Sequence, residues 1–193
     1  MTDLLAPRPA DRTSPFPMRP GRRCLAGLAI VAAMAAILFA MGRDLTCPCG
    51  IVRLWQPGLD PAENSQQFAD WYSLLHIVFG MGLALFVAKM RPRWSLGALL
   101  LSALVGHSIW EIAENTPWII GLFSGGVNAP HYEGDSILNS LGDTVFALAG
   151  ALFARRMPLW ASLAVVLAVE IAVTVAIGDG FVIGTLRLLG VDV

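Results

Sequence analysis

The chain has 193 residues, of which 56% are hydrophobic and 14% are charged, whereas about 25% charged residues is usual in soluble domains. This composition excludes a multi-domain soluble enzyme, which needs a more polar surface, and a disordered chain, which is far less apolar. The 13 Lys and Arg residues against 14 Asp and Glu residues exclude the basic excess of a nucleic-acid-binding protein. The expected partner is therefore a lipid bilayer, while protein partners stay unknown.

The first 22 residues are rich in Pro, Arg and Ser, and such a segment does not bury enough apolar surface to fold. We expect residues 1–22 to form a disordered cytoplasmic tail and residues 23–193 to form a membrane domain. The apolar run after the tail resembles a signal peptide, with a small-residue cleavage site near Ala40 and Gly42. It is longer than the roughly 7–15 residues of a signal-peptide core, so a retained span is favoured over cleavage.

Five apolar segments are long enough to cross a bilayer, because a hydrocarbon layer of about 30 Å needs about 20 helical residues. They predict an all-α bundle of five transmembrane helices, in which two short connections form helical hairpins. The predicted spans are residues 24–42, 71–90, 94–114, 136–154 and 158–178.

The basic residues indicate the orientation of the bundle. Ten of the 13 Lys and Arg residues lie before the first span or near the two hairpin connections. Because cytoplasmic loops retain Lys and Arg, this asymmetry predicts a cytoplasmic N-terminus and an external C-terminus. The apolar stretch Trp118–Phe123 is expected to lie in the interface. The segment after Gly180 is too short to cross and is expected to lie in the interface or against the bundle.

Ionisable side chains inside a span are costly and usually face a partner or a water-filled cavity. The second span carries His76 about one turn from its outer end. On the third span, His107, Glu111 and Glu114 follow one another at i, i+4 and i+7 and therefore share one helical face. Both helices are expected to turn these groups towards the interior of the bundle.

The fourth and fifth spans carry matching polar groups. Asp135, Asn139 and Asp143 lie at i, i+4 and i+8, and Glu170 lies within the fifth span. At about 1.5 Å per residue, Asp143, Glu170 and His107 all lie about 10–12 Å below the predicted outer boundary. We therefore expect one polar cluster, open to the outer face, between the second, third, fourth and fifth helices, with the first helix at the periphery.

Imidazole nitrogens and carboxylate oxygens in a low-dielectric site suit a divalent cation such as Zn, Mn or Fe. The spacing of His107 and Glu111 is HxxxE and matches no HExxH metalloprotease motif. Hydrogen bonds that only join the helices are the structural alternative, but unpaired buried carboxylates are expensive, and a bound cation or protonation would remove that cost. The candidate metal ligands are His76, His107, Glu111 and Asp143; the candidate acid–base residues are Glu111, Glu114 and Asp143; and the candidate substrate-binding residues are Asn115, Asp135, Asn139 and Glu170.

Cys47 and Cys49 flank Pro48 in the predicted outer loop. Three interpretations stay open for the pair: a structural role in the turn, a disulfide bond, and redox or metal-binding chemistry. Cys24, at the start of the first span, is most simply a small apolar residue.

Several separated motifs follow the tail: CPCG at 47–50, ENSQQ at 63–67, DWY at 70–72 followed by His76, WEIAENTP at 110–117 and YEGDSILNSLGD at 132–143. Together they resemble a family of small bacterial inner-membrane proteins known only as a domain of unknown function. The resemblance covers almost the whole chain after the tail. It implies a multi-pass protein of the inner (plasma) membrane without an assigned activity, and it transfers no catalytic residue.

The sequence favours a membrane-embedded site that binds a metal ion or a polar headgroup and hydrolyses or transfers a lipid-linked substrate. One alternative is a proton- or ion-coupled carrier that uses the same carboxylates as a relay, although the chain shows no inverted repeat. The other alternative is a non-catalytic accessory or scaffold protein that needs the polar residues only for packing. The sequence does not decide whether the protein is an enzyme.

Overall fold

A computed structural model describes residues 19–124 and 131–193. Within these residues the chain forms seven α-helices and no β-strand. The helices are α1 (Pro20–Ala40), α2 (Trp71–Met90), α3 (Leu96–Glu114), α4 (Pro117–Ser124), α5 (Ile137–Arg156), α6 (Leu159–Ile177) and α7 (Phe181–Leu188). Helices α1, α2, α3, α5 and α6 are long and apolar enough to cross a membrane, which confirms the predicted all-α, multi-pass fold.

The helix boundaries differ from the predicted spans mainly at the start of the chain. Helix α1 begins at Pro20, four residues earlier than predicted, because proline is well suited to the first position of a helix, where its missing N–H is not needed. The other four long helices begin and end within two residues of the predicted limits. Most of the predicted disordered tail, residues 1–18, lies outside the described residues.

Helices α2 and α5 form the closest and most extensive pair in the bundle. Glycines allow this approach: a Cβ atom added to Gly80 would collide with the backbone carbonyl of Ala147, and one added to Gly150 would collide with that of Ile77. Small residues let membrane helices pack at short distance, where dispersion contacts and polar side chains join them. The pair α2–α5 therefore forms the centre of the fold.

The remaining long helices surround this centre. Helix α1 packs on α3 and α5, where Met34 and Leu38 are buried against Ile137, and helix α6 packs on α2. Helix α6 keeps Leu163 and Leu167 exposed, as expected for side chains that face lipid. The first helix is peripheral, as predicted.

The long connections meet at one end of the bundle, which we call the loop end and define as residues 41–70, 131–136 and 178–193. The backbone N–H of Ile137 donates to Asp44 O at 2.8 Å, and that of Ser136 donates to Ser65 O at 3.0 Å. The two hairpin connections, α2–α3 and α5–α6, lie at the opposite end. That the loop end faces the outer compartment stays a prediction.

Residues 41–70 have no regular secondary structure but are held by polar contacts. Cys47 and Cys49 form a disulfide bond. Gln67 is fully buried, and its Nε2 donates to Glu63 Oε2 at 3.1 Å. Arg53 pairs with the same Glu63 oxygen at 2.9 Å. The segment is therefore an ordered cover on the loop end.

Candidate metal centre

His76 is positioned by the start of α2. Asp70 caps this helix, accepting hydrogen bonds from the backbone N–H groups of Tyr72 at 2.8 Å and Ser73 at 3.2 Å, while Ser73 Oγ accepts from the backbone N–H of Asp70. Burial raises the pKa of Asp70 despite these backbone hydrogen bonds. The capping box fixes the first turn, so His76, one turn later, enters the bundle in a defined direction.

Three side chains from α2 and α3 bring their ligand atoms together in a group that we call the triad: His76, His107 and Glu111. His76 Nδ1 lies 2.9 Å from His107 Nε2 and 3.5 Å from Glu111 Oε1, and His107 Nε2 lies 3.2 Å from the same oxygen. All three residues are buried. The i, i+4 spacing of His107 and Glu111 places them on one face of α3, and the packing of α2 adds His76.

These distances suit a metal ion. An ion bound at about 2.0–2.2 Å holds adjacent ligand atoms about 3 Å apart in octahedral geometry and about 3.4 Å apart in tetrahedral geometry. The triad spans 2.9–3.5 Å. Two imidazoles and one carboxylate form the ligand set of catalytic zinc sites and of non-haem iron sites that keep open coordination positions.

Glu111 provides a second indication. It is fully buried, and within the described residues neither of its carboxylate oxygens accepts a hydrogen bond of normal geometry. Its ion-pair partners in the described part of the chain are the imidazoles of His76 and His107. A buried carboxylate without a permanent positive charge is costly, and a divalent cation between the three groups would remove that cost.

The outward-facing ring nitrogens of both histidines also have neighbours, supplied by α5. Asp143 Oδ2 lies 3.5 Å from His76 Nε2, and Thr144 Oγ1 lies 3.4 Å from His107 Nδ1. Groups in these places orient metal-binding imidazoles and set which nitrogen carries the proton. Asp143, a predicted metal ligand, thus lies against the ring nitrogen opposite the triad. The sequence analysis did not single out Thr144, although a hydroxyl beside Asp143 in an apolar span was a usable signal.

A cavity of about 270 Å³ adjoins the triad between α2, α3, α4 and α7. His76, Asp143 and Glu114 line it, so it gives access to one edge of the triad. Glu114 lies one turn beyond Glu111 on α3, and its Oε2 accepts no hydrogen bond within the described residues. The structure therefore brings two of the three predicted acid–base residues, Glu114 and Asp143, to a single cavity beside the histidines, whereas Glu111 does not line it.

Two predicted substrate-binding residues pair with each other above the triad. Asn115 Nδ2 donates to Asp135 Oδ2 at 2.7 Å, and the backbone N–H of Asp135 donates to Asn115 Oδ1 at 2.8 Å. Tyr132 donates to the other Asp135 oxygen at 3.1 Å. Burial raises the pKa of Asp135 to about 7, and the hydrogen bonds from Asn115 and Tyr132 oppose this rise. Asp135 lines the cavity, and Asn115 holds Asp135 in place through these two hydrogen bonds.

The other two predicted substrate-binding residues have different surroundings. Asn139 Nδ2 donates to the backbone carbonyl of Gln67 at 2.9 Å and joins α5 to the loop end. Glu170 accepts hydrogen bonds from the backbone N–H groups of Phe181 and Val182 at 2.8 and 3.1 Å. The depth estimate could not reveal this, because it gives a height in the membrane and not the direction in which α6 turns the side chain.

The fold and the buried His–carboxylate group define a multi-pass helical membrane protein with a candidate metal centre. The chain belongs to the family described as "Protein of unknown function (DUF2585)", which matches residues 38–191. This confirms the resemblance to an uncharacterised bacterial family. The triad and every other predicted site residue lie inside the matched segment.

The chain is similar to several bacterial proteins named "UPF0314 protein". It is 40% identical to that of Sphingopyxis alaskensis, over 86% of this chain and 88% of the relative. It is 42% identical to that of Novosphingobium aromaticivorans, over 84% and 78%, and 36% identical to that of Brucella anthropi, over 93% and 91%. No solved structure matches the chain.

Proposed function

We propose that the protein binds a divalent transition-metal ion at His76, His107 and Glu111 and uses it to act on the polar group of a lipid-linked substrate. The observation that carries this proposal is the triad geometry, in which three buried ligand atoms lie within 4.8 Å of one another. Such a ligand set leaves coordination positions open for water or substrate.

The roles of the surrounding carboxylates follow from their positions. Asp143 faces His76 Nε2 and is the positioning residue for that imidazole. Glu114 lines the cavity beside the triad and is the candidate general acid–base group. A bound ion would polarise a substrate oxygen or supply a nucleophilic water at neutral pH. The apolar walls of the cavity support a substrate that carries a lipid chain.

The five apolar helices and the bacterial relatives support the inner membrane as the location. Proteins of the bacterial outer membrane cross it as closed sets of strands, whereas the inner membrane accepts helices of this length and hydropathy. The predicted orientation then opens the site to the outer face.

Elemental analysis of the detergent-purified protein after a mild chelator wash tests the metal site. We expect about one metal ion per chain in the wild type and less than about a tenth of an ion in Glu111→Gln and His107→Ala. Glu133→Gln is the matched control, because its side chain is 79% exposed and lies outside the triad. Size-exclusion profiles establish that each variant is folded.

Loading the same samples with Co²⁺ gives a second readout, since visible absorption reports nitrogen and oxygen ligation directly. A wild type that holds no metal, and gives no Co²⁺ spectrum that depends on Glu111 and His107, overturns the proposed metal site.

The contact of 2.9 Å between His76 Nδ1 and His107 Nε2 also supports one rival function. Without an ion, the two rings share a hydrogen bond through which a proton can pass, as a proton-coupled carrier requires. Metal-free wild-type protein that still acidifies or alkalinises reconstituted vesicles, and loses this activity in His107→Ala, would select the carrier.

A further inference from the structure

The cavity beside the triad has two chemically different walls. The apolar wall is formed by Leu75 and Phe79 of α2, Trp110 of α3, Phe123 of α4, and Phe181 and Leu188 from α7. Helices α4 and α7 pack on each other and close this wall at the loop end. The cavity is thus shaped for a small group that continues into an apolar chain.

The polar wall is strongly acidic. Glu114, Asp135, Asp143 and Asp179 line the cavity, and Arg187 is the one permanently charged cation among the described lining residues. Arg187 is already engaged, because its Nη1 lies 2.6 Å from Asp179 Oδ2. The described lining residues therefore keep an excess of carboxyl groups over permanently charged basic side chains, although Asp143 faces the imidazole of His76 and Arg43 lies near Asp135.

One of these groups has an oxygen without a hydrogen bond of normal geometry. Asp143 is only 3% exposed and lines the cavity; its Oδ2 faces His76, and its Oδ1 accepts no hydrogen bond of normal geometry within the described residues, although the Ser73 side chain interacts with the carboxyl group. A buried, unpaired carboxylate oxygen on a cavity wall calls for a hydrogen-bond donor, and a charged donor satisfies it best.

The charge balance distinguishes between possible ligands. A divalent ion in the triad would be partly neutralised by Glu111, and Glu114, Asp135 and Asp143 would still give the cavity an excess of acidic groups. A phosphate group would meet these carboxylates at short range, whereas an ammonium group would pair with them. The aromatic rings of Phe79 and Trp110 add a favourable surface for a cation.

We propose that this cavity binds an amphiphile with a protonated primary amine as its head, which contacts Asp143 and Glu114, and an alkyl chain that lies along the wall of Phe79, Trp110 and Phe123. The inference deepens the proposed function by naming the substrate class, and it rests on that function only for the chemistry at the adjoining metal ion. The binding step itself uses the cavity residues.

Isothermal titration of the purified full-length protein with n-hexylamine, n-hexanol, hexyl phosphate and methylamine tests the proposal. These short probes stay monomeric. n-Hexanol and hexyl phosphate share the alkyl chain of n-hexylamine, and methylamine shares its amine head. We expect n-hexylamine to bind about tenfold or more tightly than n-hexanol and methylamine, and hexyl phosphate to bind least. Asp143→Asn and Glu114→Gln should each lose most of the preference for the amine over the alcohol, while Glu133→Gln retains it.

Performing the titrations on chelator-treated and metal-loaded samples separates this inference from the proposed function. Wild-type protein that holds one metal ion but binds n-hexylamine no better than n-hexanol overturns the inference and leaves the metal site standing. Wild-type protein that takes up no metal on loading but prefers n-hexylamine, with the preference lost in Asp143→Asn, supports the inference and removes the metal site. A preference for n-hexylamine over n-hexanol that is equal in the wild type, Asp143→Asn and Glu114→Gln also overturns the inference.

Discussion

Two buried polar groups of this protein differ in how their charges are balanced. The triad of His76, His107 and Glu111 contains a buried carboxylate whose ion-pair partners are imidazoles. The α7 cluster, which we define as Tyr72, Glu170, Asp179 and Arg187, contains a carboxylate paired with a guanidinium at 2.6 Å. The first group contains no permanent positive charge, whereas a guanidinium balances the second.

The α7 cluster satisfies its polar atoms from within the chain. Tyr72 donates to Asp179 at 3.1 Å, the backbone N–H of Gly180 donates to the other Asp179 oxygen at 2.8 Å, and Glu170 accepts from the first turn of α7. This arrangement anchors a short helix against the bundle. The comparison teaches that burial and charge alone do not single out a candidate site, and that a buried polar atom without a partner distinguishes the triad from the α7 cluster.

The largest expected effect is a difference in thermal stability between a variant of the α7 cluster and a variant of the triad. Asp179→Asn leaves the buried Arg187 without its partner and should cost about 3–5 kcal/mol, or roughly 10 °C in the midpoint of thermal unfolding. Glu111→Gln, measured in metal-free protein, should leave the midpoint unchanged or raise it, because it removes an unbalanced charge. Thermal unfolding in detergent, followed by circular dichroism, measures both. Equal losses in the two variants would contradict the comparison.

A second effect concerns pH. The pKa of Asp135 is about 7 in the folded protein, above its ordinary value of 3.8. Between these values the folded protein holds a proton that the unfolded chain has lost, so stability is full below about pH 4 and declines up to about pH 7. The change is on the order of a few kcal/mol.

Asp135 has Asn115 as its amide partner, and the ionisable groups that interact with it are Tyr132, Arg43, Asp70, Glu111, Glu114 and Asp143. Asp135→Asn keeps the shape of the side chain and should flatten the decline in unfolding midpoint between about pH 4 and about pH 7. Asp60→Asn, at an exposed position of the loop end, is the control. If the unfolding midpoint of Asp135→Asn declines as steeply with pH as that of the wild type, the pH dependence comes from other groups.

A smaller effect tests how the triad is supported. Asp143→Asn should weaken metal binding by about 10–100-fold without abolishing it, because the residue orients His76 rather than binding the ion. Competition with a chelator of known affinity measures the change. Complete loss, equal to that in Glu111→Gln, would make Asp143 a direct ligand. Unchanged affinity would remove its positioning role.

The smallest effect lies in the α7 cluster. Glu170→Gln removes a negative charge from the N-terminus of α7 and keeps only one of the two oxygens that accept from Phe181 and Val182; the N–H group that loses its acceptor lies in the exposed first turn of α7. The expected cost is about 0.3–1 kcal/mol, and metal content should be unchanged. Elemental analysis beside thermal unfolding checks both expectations. Loss of metal in this variant would place Glu170 in the site that the sequence predicted for it.

Much of the fold could be predicted because each transmembrane helix must by itself be long and apolar enough to cross the bilayer. Length, hydropathy and the hairpin connections located the five long helices, and the i, i+4 spacing placed His107 and Glu111 on one face. The short helices α4 and α7 were anticipated only as apolar segments, since eight residues cannot cross a membrane. Their role as walls of the cavity depends on contacts between distant parts of the chain.

The sequence alone determined the spans, the family and the inventory of polar groups, because these follow from composition, helical period and local motifs. The tertiary structure decided which groups meet. Close packing of α2 on α5 at Gly80 and Gly150 sets Asp143 against His76, and the turn of α6 directs Glu170 towards α7. Rotation and neighbour choice of a helix depend on side-chain packing across the whole bundle, which no local pattern encodes.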